Sequence, residues 1–254
     1  MSWDPDIYMQ FASERSRPAV ELLARVPLLA PARIIDLGCG PGNSTAILAA
    51  RWPHAEIEGL ESSPEMLAKA RASRLHANWI RGDIASWSPE TRYDVVFSNA
   101  ALHWIPRHHA VVPRLMSYVA DRGVLAFQVP RNFHAPSHVL MREIANSGSW
   151  AAKLANARQV NVLSPEAYFD ILAPLAKSID IWETTYTHAL QGEDPVFAWV
   201  SGTGLRPFVQ PLDNHERDEF IAQYRARLRH AYPRRADGTT LFAFQRLFAV
   251  ALVA

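Results

Sequence analysis

Five short apolar runs alternate with helical patterns over the first 130 residues, and this alternation constrains the fold more than any other feature of the chain. RIIDL (33–37), EIEGL (56–60), NWIR (78–81), YDVVFS (93–98) and GVLAFQV (123–129) read as strands. Helical stretches precede or separate them. PAVELLARV (18–26) opens with a proline suited to a first turn, and NSTAILAARW (43–52) runs from a cap at Asn43 or Ser44 to a stop at Pro53. A third helix opens at Ser62-Ser63-Pro64-Glu65, and a fourth covers 107–119, where Pro113 is expected to kink or restart it. Such repetition builds βαβ units, a parallel sheet covered on both faces, and a ligand site beyond the carboxyl ends of the strands. The residues placed along that rim are 38–43, 61–63, 82–84 and 98–104.

After residue 130 the pattern changes. Helical pieces fill 136–177, a β-branched and aromatic strand covers 179–188, helices return over 193–232 with a break at SGTGLRP, and RLFAVALV (246–253) closes the chain. The expected organisation is one domain over 1–254. Residues 1–130 form the cofactor-binding core, 131–178 and 189–240 a helical cap, and 179–188 and 246–253 the closing strands. The fold class is therefore α/β, Rossmann-like.

Composition narrows the function classes. A formal net charge of +1 gives no global field for nucleic acid or anionic lipid, so neither partner is expected. No apolar run approaches the ~20 residues that span a bilayer. MSWDPDIYMQ lacks a basic stretch followed by an apolar core, so no signal peptide is expected. The single cysteine, Cys39, forms no intrachain disulfide, and a cytoplasmic location is the expectation. The histidines at 103, 108 and 109 make no recognisable metal motif, and no metal is expected. Only Lys69, Lys153 and Lys177 among 26 basic residues are lysine. Carboxylate-binding guanidiniums and GC-rich codons both account for that excess of arginine, so it assigns no site by itself.

The segment IIDLGCGPGNST (34–45) carries the chemistry. A dinucleotide loop needs G-x-G-x-x-G, but here the third glycine comes one place early, at Gly42; a Walker loop needs a lysine, and none occurs from 34 to 52. Asp36 would repel a pyrophosphate and suit a cation. Glu61 ends the second strand, where a carboxylate accepts from ribose hydroxyls. Asp83 follows the third strand and can accept from an adenine amino group, with Ile84 against the ring; a lone Asp at a strand end also serves as a turn or helix cap. Three acids at three successive strand ends favour a cationic, phosphate-free ligand.

DLGCGPGNST, GLESS, GDI and SNAALHW, in this order, resemble the class I S-adenosylmethionine-dependent methyltransferases. SERSRPAVELLARVP, APSHVLMREIA, DIWETTY and TGLRPF lie outside the cofactor motifs, span nearly the whole chain and are similar to the trans-aconitate 2-methyltransferase family within that superfamily. Glu61 stands where such families often carry Asp, which keeps the carboxylate and lengthens it by one methylene. The resemblance implies a seven-stranded sheet whose last strand is antiparallel, S-adenosyl-L-methionine as cofactor with S-adenosyl-L-homocysteine as product, and formation of trans-aconitate monomethyl ester. Arg15, Asp36, Gly38, Cys39, Gly40, Asn43, Glu61, Ser62, Met66, Asp83, Ile84, Asn99 and Ala100 are the expected cofactor contacts. Tyr8, Trp104, Arg131, Trp199 and Arg206 are the expected substrate contacts, bidentate arginine being the natural partner of a carboxylate. A carboxyl group with a pKa near ~4 is ionised at pH 7 and needs no general base. His103 and Trp104 are therefore expected only to position the reactants. Two other readings stand beside this one: transfer to another small acid or acyl thioester, and a sensor that binds S-adenosylmethionine without turnover. The oligomeric state, the carboxylate methylated and the convergence of the late arginines are not encoded in these patterns.

Overall fold

The computed structural model describes residues 12–155, 157, 162–202 and 204–254, with side chains from Ser16 onward. Its strands are β1 (Arg33–Leu37), β2 (Glu56–Glu61), β3 (Asn78–Arg81), β4 (Tyr93–Asn99), β5 (Val119–Pro130), β6 (Ser178–Leu190) and β7 (Thr240–Leu252). They form one sheet in the order β3-β2-β1-β4-β5-β7-β6. β1 to β5 pair in parallel, and β7 runs antiparallel to β5, with Val124 opposite Leu252 and Pro130 opposite Arg246. The expected sheet, with its antiparallel closing strand, is present.

The chain divides into two compact units, one of 15–130, 160–184 and 246–254, the other of 1–14, 131–159 and 185–245. The first unit holds helices α1 (Ala12–Ala24, whose first residues belong to the second unit), α2 (Asn43–Arg51), α3 (Pro64–Ala72) and α4 (His108–Ser117). The second holds α5 (Pro136–Ser147) and α6 (Ala151–Leu154). Then comes α7 (Pro165–Leu172), which falls in the sheet unit rather than with the other late helices, because Tyr168 and Leu172 are buried with Val112, Phe127 and Val129. The second unit is completed by α8 (Pro195–Ser201), α9 (Arg206–Val209) and α10 (Asn214–Ala231).

Alternate residues of the parallel strands explain the sheet unit's core. Ile35, Leu37, Leu60, Val96, Leu125, Phe127 and Val129 join one apolar cluster with side chains of α4 and α7. The intervening Ile34, Val95, Phe97, Val124 and Ala126 are also buried. Burial on both faces is why these runs are continuously apolar. In the second unit, Trp150, Trp199, Phe220, Tyr224, Phe242 and Phe244 share a core. α10 starts in a capping box: Asp213 accepts from the Glu216 N–H, and Glu216 accepts from the Asp213 N–H.

Three sequence expectations change. α1 begins at Ala12, so Pro18 lies within it rather than in its first turn. α4 continues through Pro113 without a break, since its apolar side, including Val111, Val112 and Leu115, is held in the core. α2 is capped by neither Asn43 nor Ser44. The cap is Gly42 in the left-handed region at φ 94°, and the Ser44 hydroxyl turns to Asp36 instead.

His108 is a buried residue that ties these elements together. Its Nε2 lies 2.9 Å from the Leu102 carbonyl, which can only accept, so Nε2 carries the proton and Nδ1 accepts from the Tyr168 hydroxyl at 2.5 Å. Burial holds the His108 pKa below its ordinary value, consistent with a neutral ring. Tyr168→Phe leaves Nδ1 buried without a donor and should lower unfolding free energy by about 1–3 kcal/mol in a urea titration.

Candidate functional site

The rim is built where β1, β2, β3 and β4 end. Gly38, Gly40 and Gly42 all have positive φ, at 74°, 57° and 94°, a backbone course that excludes most side chains. At Gly38 space adds to conformation: a Cβ there would lie 2.3 Å from the Ala101 Cβ. The Gly38 and Cys39 amides donate to the Leu60 carbonyl at 2.8 and 3.1 Å, and the Gly42 amide donates to the Cys39 carbonyl at 3.0 Å. The Ser98 hydroxyl holds the Leu37 carbonyl at 2.9 Å, fixing the point where the loop departs.

Asp36 and Glu61 anchor this loop from opposite sides. Asp36, at 0% exposure, accepts through Oδ2 from the Ser44 and Thr45 hydroxyls, each at 2.7 Å. Its other oxygen, Oδ1, is buried without a hydrogen-bond partner. Burial raises the Asp36 pKa to about 6, the two hydroxyls oppose that rise, and the Glu61 charge adds to it. Glu61 accepts from the Gly40 amide at 3.0 Å and the Ser63 amide at 2.8 Å, so one carboxylate bridges the glycine loop and the turn into α3. In that turn Ser63 caps the helix by accepting from the Met66 amide, while Ser62 is exposed and Met66 partly buried.

At the end of β3, Asp83 is exposed and accepts from the Ala85 amide at 2.8 Å, a local turn. Ile84 is buried, and its Cδ1 lies against the Gly38 backbone, 3.4 Å from where a Cβ would stand. The Arg114 guanidinium donates to the Ile84 and Ala85 carbonyls at 2.6 and 2.7 Å and so fixes this loop. β4 ends at Asn99, whose Oδ1 is buried without a hydrogen-bond partner. Ala100 follows with φ 54°, a strained value for a residue with a Cβ, and donates its amide to the Gln128 carbonyl at 2.9 Å. Leu102–Trp104 form a 3₁₀ turn that stacks His103 beside Trp104 at 4.5 Å between ring centroids. Cys39 is buried beside Gly59, and burial pushes its thiol pKa up, so it offers backbone rather than a thiolate.

These residues fit a cationic ligand free of phosphate. A buried carboxylate oxygen, Asp36 Oδ1, and a buried amide oxygen, Asn99 Oδ1, are acceptors with no hydrogen-bond partner among the described residues, and an ammonium supplies three donors. Among the described residues no group of histidine, cysteine or acid side chains is arranged to hold a metal ion, and no helix is long and apolar enough to cross a membrane.

The predicted substrate residues stand as follows. Tyr8 lies outside the described residues, as does the Arg15 side chain. Arg131, just after β5, donates its amide to the Gln245 carbonyl at 2.9 Å. Arg206 begins α9 half-buried, and its guanidinium has no hydrogen-bond or ion-pair partner among the described residues. Trp199 is 2% exposed and packs on His188, Phe242 and Phe244, which gives it a place in the second unit's core. Sequence reasoning gave no role to Thr45, Arg114, Gln128 and Arg246, and gave Ser44 only as a helix cap and Ser98 only as a rim position. For Gln128 a signal existed: it is the one polar side chain in the buried run VLAFQV.

The comparisons agree with this geometry. Residues 34–123 match the family model described as a methyltransferase domain. A trans-aconitate 2-methyltransferase of Methylobacterium radiotolerans is 48% identical, over 98% of this chain and 97% of the relative. One from Streptomyces avermitilis is 50% identical over 98% and 96%. A solved Haemonchus contortus phosphoethanolamine N-methyltransferase 2, in complex with S-adenosyl-L-methionine, shares the fold at a TM-score of 0.57 and 16% identity, over 94% of this chain and 53% of that one.

Asp36 gives the site a pH signature. Its ionised form is disfavoured by burial and would be restored by an ammonium, so cofactor binding below about pH 6 is linked to proton release. Affinity for S-adenosyl-L-homocysteine should be level above that pH and fall by up to roughly tenfold per unit below it. Calorimetric titrations between pH 7.5 and 5 check this; a level affinity throughout would rule out an ammonium held by Asp36. With its glycine loop, its acid-lined rim and relatives matched end to end, the chain belongs to the class I S-adenosylmethionine-dependent methyltransferases, in the family of the trans-aconitate 2-methyltransferases.

Proposed function

We propose that the protein is a carboxylate O-methyltransferase that forms the monomethyl ester of trans-aconitate. The observation that carries this reading is the extent of the identity: relatives named for that reaction match 98% of the chain, second unit included, and not only the cofactor motifs. When bound, S-adenosyl-L-methionine supplies an electrophilic methyl group, which leaves a neutral thioether as a carboxylate oxygen takes it.

The chain's contribution is alignment. The acceptor oxygen must lie opposite the departing sulfur, and such orientation accounts for several kcal/mol of barrier. Glu61 takes the ribose hydroxyls, Asp36 and Asn99 the ammonium, and Arg15 the methionine carboxylate. Asp83 and Ile84 bound the adenine, while Gly38, Cys39, Gly40, Asn43, Ser62, Met66 and Ala100 shape the walls. The substrate is already an anion at pH 7, so no side chain need remove a proton. Its carboxylates require cations, and Arg131 and Arg206 are the proposed partners. Arg206 is supported by its guanidinium, half-buried with no ion pair among the described residues. Tyr8, His103 and Trp104 are the proposed positioning groups.

Incubation with methyl-labelled cofactor and a panel of di- and tricarboxylic acids should yield a base-labile ester on trans-aconitate. Transfer only to a different acid or a thioester would sink the substrate assignment, and tight cofactor binding without any transfer would favour a sensor. Arg206→Ala should raise KM for the acid by about 10- to 100-fold with cofactor affinity nearly unchanged. Glu61→Ala should do the converse, weakening cofactor binding first.

A further inference from the structure

We propose that Gln128 and Arg246 form the subsite that grips the reacting carboxylate of the acceptor, one strand away from the cofactor's ammonium site at Asn99. This rests on the reading that the acceptor is a carboxylic acid.

Register places the three side chains together. Asn99 of β4 is the partner of Gln128 of β5, and across the antiparallel pair Phe248 faces Gln128 while Arg246 faces Pro130. Paired residues share a face of the sheet, as do residues two apart on one strand. Asn99, Gln128 and Arg246 therefore project from the same face at the carboxyl end of β4 and β5. All three belong to the sheet unit.

The chemistry of the Gln128 side chain follows from the one hydrogen bond it makes among the described residues. Arg246 Nη1 lies 3.3 Å from Gln128 Oε1, and a guanidinium only donates, so Oε1 is the accepting atom and the amide is held in one orientation. Its Nε2, with two N–H groups, is left buried without a hydrogen-bond partner among the described residues. Gln128 is 0% exposed and Arg246 5%. A buried amide whose donors go unmet is destabilising, so its place in an otherwise apolar strand calls for a partner that arrives later. An anionic oxygen is that partner: Nε2–H donates to it, and the neighbouring guanidinium supplies positive charge in a medium where charge is weakly screened.

Asn99 gives the direction of transfer. Its orphaned Oδ1 is an acceptor, suited to a cation, and it stands about 4.8 Å away, the spacing of adjacent strands, from a residue offering donors to an anion. Cationic donor and anionic acceptor are thereby drawn to neighbouring strands, which is the proximity an in-line displacement needs. Both Gln128 and Arg246 are closed to bulk water, so the acid reaches them only as the chain around them opens, and water does not compete for the methyl group afterwards.

The test compares the full-length wild-type chain with Gln128→Leu and Arg246→Lys, using S-adenosyl-L-homocysteine for cofactor binding and whichever acid of the panel the wild type methylates for turnover. Each variant should keep its cofactor affinity within about threefold and its thermal transition near that of wild type. kcat/KM for the acid should fall by about 10- to 100-fold, expressed mainly in KM. Gln128→Leu puts an apolar side chain of similar size in the buried position and gives a second reading should Arg246→Lys fold poorly. If the wild type methylates an acid and both variants do so equally well, or if cofactor affinity falls in parallel, Gln128 answers to a buried water or to packing and the subsite is overturned. If the wild type methylates no acid at all, the carboxylate reading fails, and the subsite with it.

Discussion

A buried carboxylate at the end of β1 organises the cofactor end of the molecule. Asp36 is removed from water, and its Oδ2 is held by Ser44 and Thr45 from the first turn of α2. Those bonds set the angle at which the glycine loop turns from strand to helix, and they place a negative group beside the positive end of α2. Burial pushes the acid's pKa up to about 6, against the pull of the Ser44 and Thr45 hydroxyls. The second oxygen is buried with no hydrogen-bond partner among the described residues.

The remainder of the rim repeats this division of labour. At Glu61 the carboxylate is engaged by the Gly40 and Ser63 amides, which steadies the loop at the same position from which it can reach a ribose. At Ala100 a positive φ is held by a hydrogen bond to β5, so strain is stored where β4 leaves the sheet. Arg114 performs for the β3 loop what Ser98 performs for β1: each satisfies a carbonyl that would otherwise be left open at a strand end. Rigidity at the strand ends suits a methyltransferase, because methyl transfer from a sulfonium depends on alignment.

The sheet was legible in the sequence to a large degree, and the reasons can be read from particular residues. NWIR is a strand over the residues expected, 78–81, because it is bounded by turn chemistry on both sides. The strand ends at which the three rim acids stand were legible because each follows a short apolar run; what each acid holds was not, and Asp36, Glu61 and Asp83 all accept hydrogen bonds from their own loops or helix starts. Helix boundaries were less legible: a proline was taken as a start at Pro18 and as a break at Pro113, whereas core packing carries both helices past their prolines. The cap at Asn43 or Ser44 was misread because local propensity does not register that Asp36, seven or eight residues earlier, competes for the Ser44 hydroxyl. Gln128 and Arg246, far apart in sequence, meet only through the register of β5 against β7.

The sequence by itself determined the class of fold, the strand order's starting logic and the charge character of the cofactor loop, since hydrophobic period, glycine spacing and acid placement are local properties. Only the tertiary structure decided which polar atoms are left unsatisfied, that α7 joins the sheet unit, that Trp199 is a core residue, and that Asn99, Gln128 and Arg246 share one face. Those outcomes depend on strand register and on burial, and both are set by contacts between residues whose separation along the chain conceals them.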